Sequence, residues 1–385
     1  MNGSVVVGAL KGGFRDTAAY YAVFERARQQ SPVVRDDFLQ AHVVLGYREC
    51  EQVLRDTEGF GRAPLNYPAT YFEDVDAQVL AGYDIMRAMS IFQPPGAAYA
   101  ARRQQLLAAV SAARRASAAG LVDQLAQALV AELDAGRELD LYAGSLRPFA
   151  AGCAGIALTG SADVPSEITA AALAAAFFFD GKRPARPHVL NAFAGVATLA
   201  EWIEDRLFDG VREQREAVAD LVLLFVAAHE SMAYLLHVVL ARAASAGADL
   251  ACFDDADRVA AALGESLRFD APVQMSARVA RRDVRIGAHA IAAGERVLLH
   301  LGAANRDPAV FARPEAYVEG RDAAPLSFGW GATRCVGAEF AQRCAGSYLR
   351  HLGARFRSAS HRKEGSVFDH GISARGMKSA FYTLG

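Results

Sequence analysis

The stretch from Leu221 to Leu240 constrains the fold more than any other part of this chain. It is almost entirely apolar, and it is about as long as a membrane-spanning helix. His229, Glu230 and Ser231 interrupt it at its centre, and an unpaired carboxylate is costly in lipid. We therefore predict a long helix through the interior of a soluble protein, with its polar interruption at a functional site.

The composition bounds the class of protein. A chain of 385 residues with 52% hydrophobic residues can bury a large core. Its formal net charge of −2 gives no reason to expect a nucleic acid partner. The five cysteines are scattered and show no CxxC pair, which is typical of a reduced, cytoplasmic protein without a zinc site. The N-terminus has no basic region followed by a long apolar stretch, so neither a signal peptide nor a membrane anchor is predicted.

Helical patterns dominate the chain up to about residue 270, and strand-like alternation follows. We predict a mainly α fold with a small β-rich portion, at about 32–46, 273–300 and 366–384. No linker divides the chain, so a single domain is predicted over residues 1–385. Residues 60–92 are predicted to be an irregular binding loop, and Pro94-Pro95 to open the next helix.

A glycine-punctuated loop from Phe328 to Gly337 presents one cysteine, Cys335. Gly329 and Gly331 leave room for a flat group against the backbone, because glycine has no side chain. The cysteine stands just before a helix-forming run, and a helix N-terminus favours the thiolate. A thiolate in this setting is a good iron ligand, whereas an inert cysteine in a turn is the alternative.

The order Phe-Gly-x-Gly-x-x-x-Cys-x-Gly resembles the haem-ligand loop of the cytochrome P450 family. Glu265-Ser266-Leu267-Arg268, followed by a strand with Arg278, is similar to that family's signature helix and next strand. Ala227-Ala228-His229-Glu230-Ser231 is similar to the middle of its long central helix. The resemblance implies a cytochrome P450 fold, haem b (iron protoporphyrin IX) as cofactor and Cys335 as the axial iron ligand.

The resemblance also implies roles for individual residues. Contacts with haem are implied for Arg102, Ala227, Ala228, Arg278, Phe328, Gly329, Gly331, Thr333, Arg334 and Gly337. Glu265 and Arg268 are implied to anchor the cysteine loop, with Arg321 as a third partner where the family often has an arginine at the position of Ala316. A substrate pocket is implied at residues 62–92 and at Phe177-Phe178-Phe179, Leu224, Ala227, Val273, Gln274 and Ile372.

Glu230 and Ser231 are the implied catalytic residues, one relaying protons and the other holding oxygen or water. In the alternative, Ser231 bonds back to a helical carbonyl and Glu230 pairs with an arginine. The chain departs from the family where haem propionates are usually held. Ala97 and Ala101 stand where a histidine or tryptophan and an arginine are common, and Arg102 is one position away.

The resemblance thus implies a bacterial haem-thiolate monooxygenase that uses O2 to oxidise a small, mostly apolar organic substrate, a secondary-metabolite intermediate. Electrons are expected from a separate ferredoxin with its reductase, docking on a basic face formed by Arg102, Arg103, Arg114, Arg115, Arg343 and Arg350. Two alternatives stay open: a peroxide-using or redox-neutral haem enzyme (nitrogen chemistry or oxidative coupling), and a non-catalytic binding module.

Overall fold

Helices make up most of the computed structural model, which describes residues 4–13, 16–62, 67–93, 97–112, 116–179, 185–208 and 214–385. The helices are α1 (Val5–Gly13), α2 (Thr17–Gln30), α3 (Tyr47–Arg55), α4 (Ala77–Ala88), α5 (Ala97–Ala112), α6 (Ala116–Ala131), α7 (Arg147–Thr159), α8 (Ser166–Ala176), α9 (Arg186–Leu207), α10 (Arg215–Ala246), α11 (Ala256–Phe269), α12 (Leu301–Ala304) and α13 (Ala338–Arg355). The predicted helix start at Pro94-Pro95 lies outside the described residues.

Most of the strands are short, and they fall mostly after residue 270, as the alternating pattern predicts. They are β1 (Val33–Asp36), β2 (Ala41–Val44), β3 (Phe60–Gly61), β4 (Glu138–Asp140), β5 (Met275–Ala280), β6 (Val284–Ile286), β7 (His289–Ile291), β8 (Arg296–His300), β9 (Ala359–His370) and β10 (Arg375–Leu384). The predicted fold class, mainly α with a small β-rich portion, is confirmed.

The chain divides into two compact units, neither of which is one continuous stretch. Unit 1 comprises Met1–Ala63, Ala261–Cys335 and Phe368–Arg375. Unit 2 comprises Pro64–Ala260, Val336–Val367 and Gly376–Gly385. The single domain over residues 1–385 stays a prediction.

Unit 1 is built around a five-stranded sheet in the order β1-β2-β8-β5-β3. Strands β2 and β8 are parallel and the other pairs are antiparallel. Apolar residues on both faces of this sheet are buried: Val33, Val44, Val297 and Leu299 pack in one cluster and Phe24, Met275 and Leu298 in another.

Unit 2 is organised around α10, the helix that the apolar stretch predicts. Its length and composition alone would allow it to cross a membrane, but 67% of its most apolar window is buried inside the protein. Its apolar side chains, among them Val222, Phe225 and Val226, join a cluster with residues of α4, α8 and α9. Burial against neighbouring helices therefore accounts for its apolar character.

Helix α4 lies within the segment that the sequence predicts to be irregular. Asp76 caps it by accepting a hydrogen bond from the backbone N–H of Val79 (2.9 Å). Gly82, which weakens the helical pattern, permits close packing on α9: a Cβ there would lie 1.8 Å from the carbonyl oxygen of Phe193. The prediction was wrong here because tertiary packing outweighs the low helix propensity of glycine.

Candidate active site

The tight turn Leu326–Phe328 leads into the cysteine loop, and a second tight turn, Gly331–Thr333, lies within it. Gly329 and Gly331 have φ angles of 70° and 57°, a region that side-chain-bearing residues rarely adopt. The backbone N–H of Cys335 donates to the carbonyl oxygen of Phe328 (2.7 Å) and closes the loop. Because the Cys335 side chain is exposed, the loop presents its thiol outward from a constrained backbone.

The other predicted residues of this loop have different surroundings. The Thr333 hydroxyl donates to the carbonyl oxygen of Trp330 (3.2 Å), so it stabilises the second turn. Arg334 is exposed, and Phe328 and Gly337 are half-buried. The haem contacts predicted for these four residues stay predictions.

An acid and two arginines meet in the interior of unit 1. Glu265 receives two parallel hydrogen bonds from Arg268, at 2.8 and 2.7 Å. The Nε of Arg321 lies 3.2 and 3.3 Å from the same carboxylate. Arg268 and Glu265 have side chains only 1% and 2% exposed. The structure thus brings together the three residues that the sequence predicts as an anchor, with Arg321 in the third place.

This anchor is connected to the cysteine loop through residues that the sequence analysis did not assign. Arg268 Nη1 donates to the carbonyl oxygen of Asn305 (3.1 Å). Asn305 in turn accepts from the N–H of Leu326 (2.7 Å) and donates to the Ser327 hydroxyl (2.8 Å). Buried amides of this kind are hydrogen-bonded almost without exception. Asn305 therefore connects the anchor by hydrogen bonds to the turn Leu326–Phe328 and holds that turn in place.

Arg278 lies on β5 and is only 5% exposed. Its Nη1 donates to the Ser276 hydroxyl (2.7 Å) and to the carbonyl oxygen of Ala277 (2.8 Å). Burial of a charged group is costly unless other groups compensate it. The predicted contact of Arg278 with a haem propionate stays a prediction.

The predicted pocket residues of unit 1 differ in accessibility. Val273 is 38% exposed, and Ile372 is half-buried. The side chain of Gln274 is fully enclosed, and its amide donates to the Tyr21 hydroxyl (2.8 Å) and the carbonyl oxygen of Ala271 (2.7 Å). This placement gives Gln274 a structural role, and it does not support contact with a substrate.

In unit 2, one face of α10 carries small and accessible side chains. Ala227 is exposed, and Leu224, Ala228 and Ser231 are half-buried, whereas the neighbouring residues Phe225 and Val226 are buried. Residues three and four apart share one helical face. The helix therefore presents a narrow, mostly apolar stripe at the position predicted for the oxygen-binding face.

Glu230 and Ser231 adopt the alternative arrangement weighed from the sequence. The Ser231 hydroxyl donates to the carbonyl oxygen of Ala227 (2.7 Å). Glu230 accepts from Arg147 Nε (2.5 Å) and from the Tyr142 hydroxyl (3.0 Å). Burial, followed by the charge of Glu230, raises the pKa of Tyr142 well above its ordinary value. A catalytic role for the pair stays a prediction, and it requires at least one of these side chains to change partner.

His229 precedes this pair, and the sequence analysis assigns it no role of its own. It is fully buried, and within the described part of the chain neither ring nitrogen has a hydrogen-bond partner. Burial, with a smaller effect from the charge of Arg147, lowers the pKa of His229 to about 3. The imidazole is therefore neutral, and nothing in the sequence marks its isolation.

Arg102 is held inside unit 2 by an acid. Its Nε donates to Asp220 Oδ2 (2.8 Å), and its Nη2 donates to the carbonyl oxygens of Ala88 (2.7 Å) and Glu216 (3.0 Å). Asp220 Oδ1 also accepts from the N–H of Ser90 (2.7 Å). The guanidinium of Arg102 thus forms a structural bridge between α5, α10 and the end of α4. This placement does not support the predicted haem contact.

Comparison with known proteins decides the family. A family model described as cytochrome P450 matches residues 249–372. The chain is 27% identical over 348 residues to the biotin biosynthesis cytochrome P450 of Bacillus subtilis (strain 168), spanning 84% of this chain and 85% of that protein. The chain belongs to the cytochrome P450 family.

Other relatives and solved structures agree with this assignment. Over 133 residues this cytochrome P450 is 35% identical to the beta-dihydromenaquinone-9 omega-hydroxylase of Mycobacterium bovis, spanning 34% of this chain and 27% of that protein. P450BioI, solved in complex with an acyl carrier protein ligated to hexadec-9Z-enoic acid, has a TM-score of 0.78 at 22% identity and covers 96% of this chain and 99% of that one. The cytochrome P450 CREJ, in complex with (4-ethylphenyl) dihydrogen phosphate, has a TM-score of 0.79 at 18% identity, covering 95% and 97%.

This cytochrome P450 is an oxidoreductase, a haem-thiolate monooxygenase with haem b as its cofactor. Bound haem with a thiolate ligand supplies the activation of dioxygen. The residues present fit that group: Cys335 offers an exposed thiol on a constrained loop in unit 1. In unit 2, α10 offers an accessible stripe of small side chains. Cys335 would hold the iron, and the anchor through Asn305 would keep the thiol in place.

Proposed function

We propose that this cytochrome P450 oxidises a small, mostly apolar organic molecule, an intermediate of secondary metabolism, in the bacterial cytoplasm. The observation that carries the proposal is the accessible stripe of Leu224, Ala227 and Ala228 on helix α10, beside the buried residues Phe225 and Val226. An apolar surface that a soluble protein keeps accessible commonly serves binding. Hydroxylation is the default reaction at such a site.

An aromatic cluster in unit 2 supports an apolar substrate. Tyr67 lies 5.6 Å from Phe193 between ring centroids, and Phe178 lies 4.8 Å from the same ring. Phe72 and Tyr83 are 4.3 Å apart. Burial, followed by smaller effects of Tyr71 and Tyr83, raises the pKa of Tyr67 to about 12. The described part of segment 62–92, which is predicted to line the pocket, thus contributes aromatic rings to an environment in which aromatic or aliphatic groups are favoured.

Whole-length similarity to P450BioI favours one particular form of apolar substrate. That protein was solved with an acyl carrier protein bearing a hexadecenoyl chain. A substrate screen should therefore include aliphatic chains both as free acids and as thioesters on an acyl carrier protein, next to small aromatic compounds. A substrate-induced change of the ferric haem spectrum would identify the binding class, and no change with any aliphatic chain would exclude the carrier-bound class.

We propose that Ser231 and Glu230 assist proton delivery after rearrangement of their present hydrogen bonds. Ser231→Ala removes a hydroxyl that now bonds only to helical carbonyls, so folding should be nearly unchanged. Product formed per electron pair delivered by the reductase should fall about 100-fold, the lower end of the range for general acid–base catalysis. Glu230→Gln keeps the size of the side chain and tests the proton relay separately. If the ratio of product formed to electrons consumed is unchanged in both variants, the proposed roles are refuted.

A ferredoxin is the proposed electron donor, with its reductase. Arg343 and Arg350 are exposed on α13, and Arg103 is half-buried on α5; Arg114 and Arg115 lie outside the described residues. Because Arg102 is buried in its bridge with Asp220, it no longer belongs to the proposed docking face. Arg343→Glu should slow reduction by an acidic ferredoxin, most clearly at low salt, whereas an equal rate at all salt concentrations would refute this face.

The haem site is tested by the absorption spectrum of the reduced, carbon monoxide-bound protein. Wild-type protein should show the Soret shift of a thiolate-ligated haem, and Cys335→Ser should lose it while remaining folded. The alternatives are separated by the oxidant: turnover with hydrogen peroxide alone would indicate a peroxide-using enzyme. Purified wild type without any haem would indicate a binding module.

A further inference from the structure

A cavity of about 400 Å³ lies in unit 1, between α2 and the chain that follows α12. Tyr21, Ala22, Phe269, Pro308 and Pro314 supply most of its apolar walls. None of the residues assigned to haem, oxygen or substrate lines it. Its size falls in the ordinary range for small-molecule sites, about 300–1,000 Å³.

Arg306 lines this cavity, although only 7% of the residue is exposed. Its Cζ lies 4.1 Å from the ring centroid of Tyr21 and 4.1 Å from that of Phe269. Its Nε and Nη2 both donate to the carbonyl oxygen of Phe269, at 2.9 and 2.7 Å. One edge of the planar guanidinium is therefore occupied, and the rings hold its plane in position.

The opposite edge, with Nη1 and the second N–H of Nη2, is available. Among the residues that the structure describes, Nη1 has no hydrogen-bond partner. Nη1 is also not among the fully enclosed polar atoms that lack a partner, so it retains some accessible surface. Because Arg306 lines the cavity and its other edge is occupied, this is the edge that an anion in the cavity could reach.

The carboxylates around Arg306 already have other donors. Asp270 accepts from the Tyr21 hydroxyl (3.1 Å) and lies 3.4 Å from Arg375 Nε. Glu25 is paired with Arg28. Burial lowers the pKa of Arg306 to about 10, although the charges of Tyr21 and Asp270 act in the opposite direction. The buried cation is therefore incompletely compensated, and an anion in the cavity would stabilise it.

We propose that this cavity is a second binding site, for a small organic monocarboxylate with an apolar body. The two carboxylate oxygens accept from Nη1 and Nη2 of Arg306, since a guanidinium edge matches a carboxylate in a two-pronged geometry. The apolar body rests against Pro308, Pro314 and Ala22. Exposed Glu315 at the rim disfavours dianions such as phosphate, because like charges repel.

The test uses haem-loaded protein whose iron is saturated with 4-phenylimidazole, so that a carboxylate cannot occupy the iron. Benzoate is titrated by isothermal calorimetry, with benzyl alcohol as its neutral counterpart. We expect saturable binding of benzoate with a Kd below about 1 mM and at least ~10-fold weaker binding of the alcohol. The proposal is overturned if benzoate fails to saturate the protein at about 10 mM, or if the alcohol binds equally well.

Variants identify the residue that recognises the carboxylate. Arg306→Gln should weaken the binding of benzoate at least ~10-fold. Arg306→Lys keeps the charge but loses the two-pronged edge, so it should weaken binding by an intermediate factor. Glu315→Gln should strengthen the binding of benzoate ~2–5-fold, because it removes a like charge. Arg26→Gln is the matched control, because Arg26 is exposed on the same helix α2 and does not line the cavity.

These outcomes remain decisive if one variant is damaged. Should Arg306→Gln fail to fold by circular dichroism, Arg306→Lys and Glu315→Gln still carry the test. The proposal is overturned if Arg306→Lys binds benzoate with the affinity of the wild type and Glu315→Gln binds it no more tightly. An equal loss in Arg26→Gln would do the same, because it would show non-specific attraction to surface charge.

Discussion

The bridge between Arg102 and Asp220 makes a prediction that separates a structural arginine from a haem-binding one. Asp220→Asn keeps the shape of the side chain and removes its charge. The amide oxygen can still accept from the N–H of Ser90, now 2.7 Å from Asp220 Oδ1. What is lost is the charge-assisted bond at 2.8 Å to Arg102 Nε. The substitution therefore tests the ion pair and leaves Arg102 in the chain.

The expected cost follows from burial. The side chains of Arg102 and Asp220 are 10% and 4% exposed, and removal of one partner from a buried pair costs about 3–5 kcal/mol. Arg102 keeps its bonds to the carbonyl oxygens of Ala88 and Glu216. The Glu216 carboxylate, 3.7 Å away and 73% exposed, compensates little. We expect a loss of about 2–3 kcal/mol in the free energy of unfolding of the protein.

A double-mutant cycle measured by urea unfolding of the haem-loaded protein isolates the pair. Arg102→Gln alone should cost about 3 kcal/mol, because it leaves Asp220 as a buried acid. The double variant should cost no more than the worse single one, which corresponds to a coupling energy of about 2 kcal/mol. Haem content per folded molecule, measured at a denaturant concentration where each variant is native, should equal that of the wild type throughout.

Two results would refute this reasoning. A cost below about 0.5 kcal/mol for Asp220→Asn would show that the pair is energetically unimportant, as many exposed pairs are. Loss of haem from folded Arg102→Gln but not from folded Asp220→Asn would show that the guanidinium itself binds the cofactor. The second result would restore the role that the sequence predicts.

Three further predictions concern unit 1. Glu265→Gln should cost about 3–5 kcal/mol of unfolding free energy, because it leaves Arg268 buried without its carboxylate; a cost under about 1 kcal/mol would contradict the anchor. Gln274→Leu should destabilise by about 1–3 kcal/mol, since it leaves buried partners without their bonds, with the ligand-induced spectra unchanged if Gln274 is structural. For His300, burial lowers the pKa in the folded protein from 6.5 to about 3. Between these pH values the unfolded chain binds a proton that the folded protein does not. The contribution of His300 to the free energy of unfolding is therefore intact above pH 6.5 and is lost as pH falls toward 3, by up to about 1.4 kcal/mol per pH unit. His300→Gln should flatten this slope in urea titrations, and an unaltered slope would show that His300 does not titrate in this way.

The sequence predicted what depends on local pattern. The apolar run from Leu221 predicts α10, because burial of a long helix requires nearly continuous apolar residues. The glycines at 329 and 331 predict a tight loop, because positive φ angles are accessible mainly to glycine. Glu265 and Arg268, three residues apart, meet because that spacing places them on one helical face. In each case the information lies within about twenty consecutive residues.

What the sequence could not predict depends on distant partners. Arg102 and Asp220 are 118 positions apart, and Glu230 meets Arg147 across 83. A single sequence carries no signal for such pairs, because any exposed arginine is an equally good candidate. Helix α4 escaped prediction for a related reason: Gly82 is unfavourable in a helix, and only contact with α9 makes it an advantage.

Arg321 shows how a functional position can be filled from elsewhere in the chain. The family's usual arginine is replaced by Ala316, yet Arg321 reaches the Glu265 carboxylate at 3.2 Å. It can do so because the carbonyl oxygens of Ala312 and Ala316 hold its other nitrogens, at 2.7 and 3.1 Å. The loop thus folds around the arginine that it contains. Geometry at the carboxylate is what the anchor requires, so a missing residue in an aligned position does not by itself indicate a missing interaction. The same argument applies to the propionate-binding groups absent at Ala97 and Ala101, whose substitutes have to be sought by contact with haem rather than by position in the sequence.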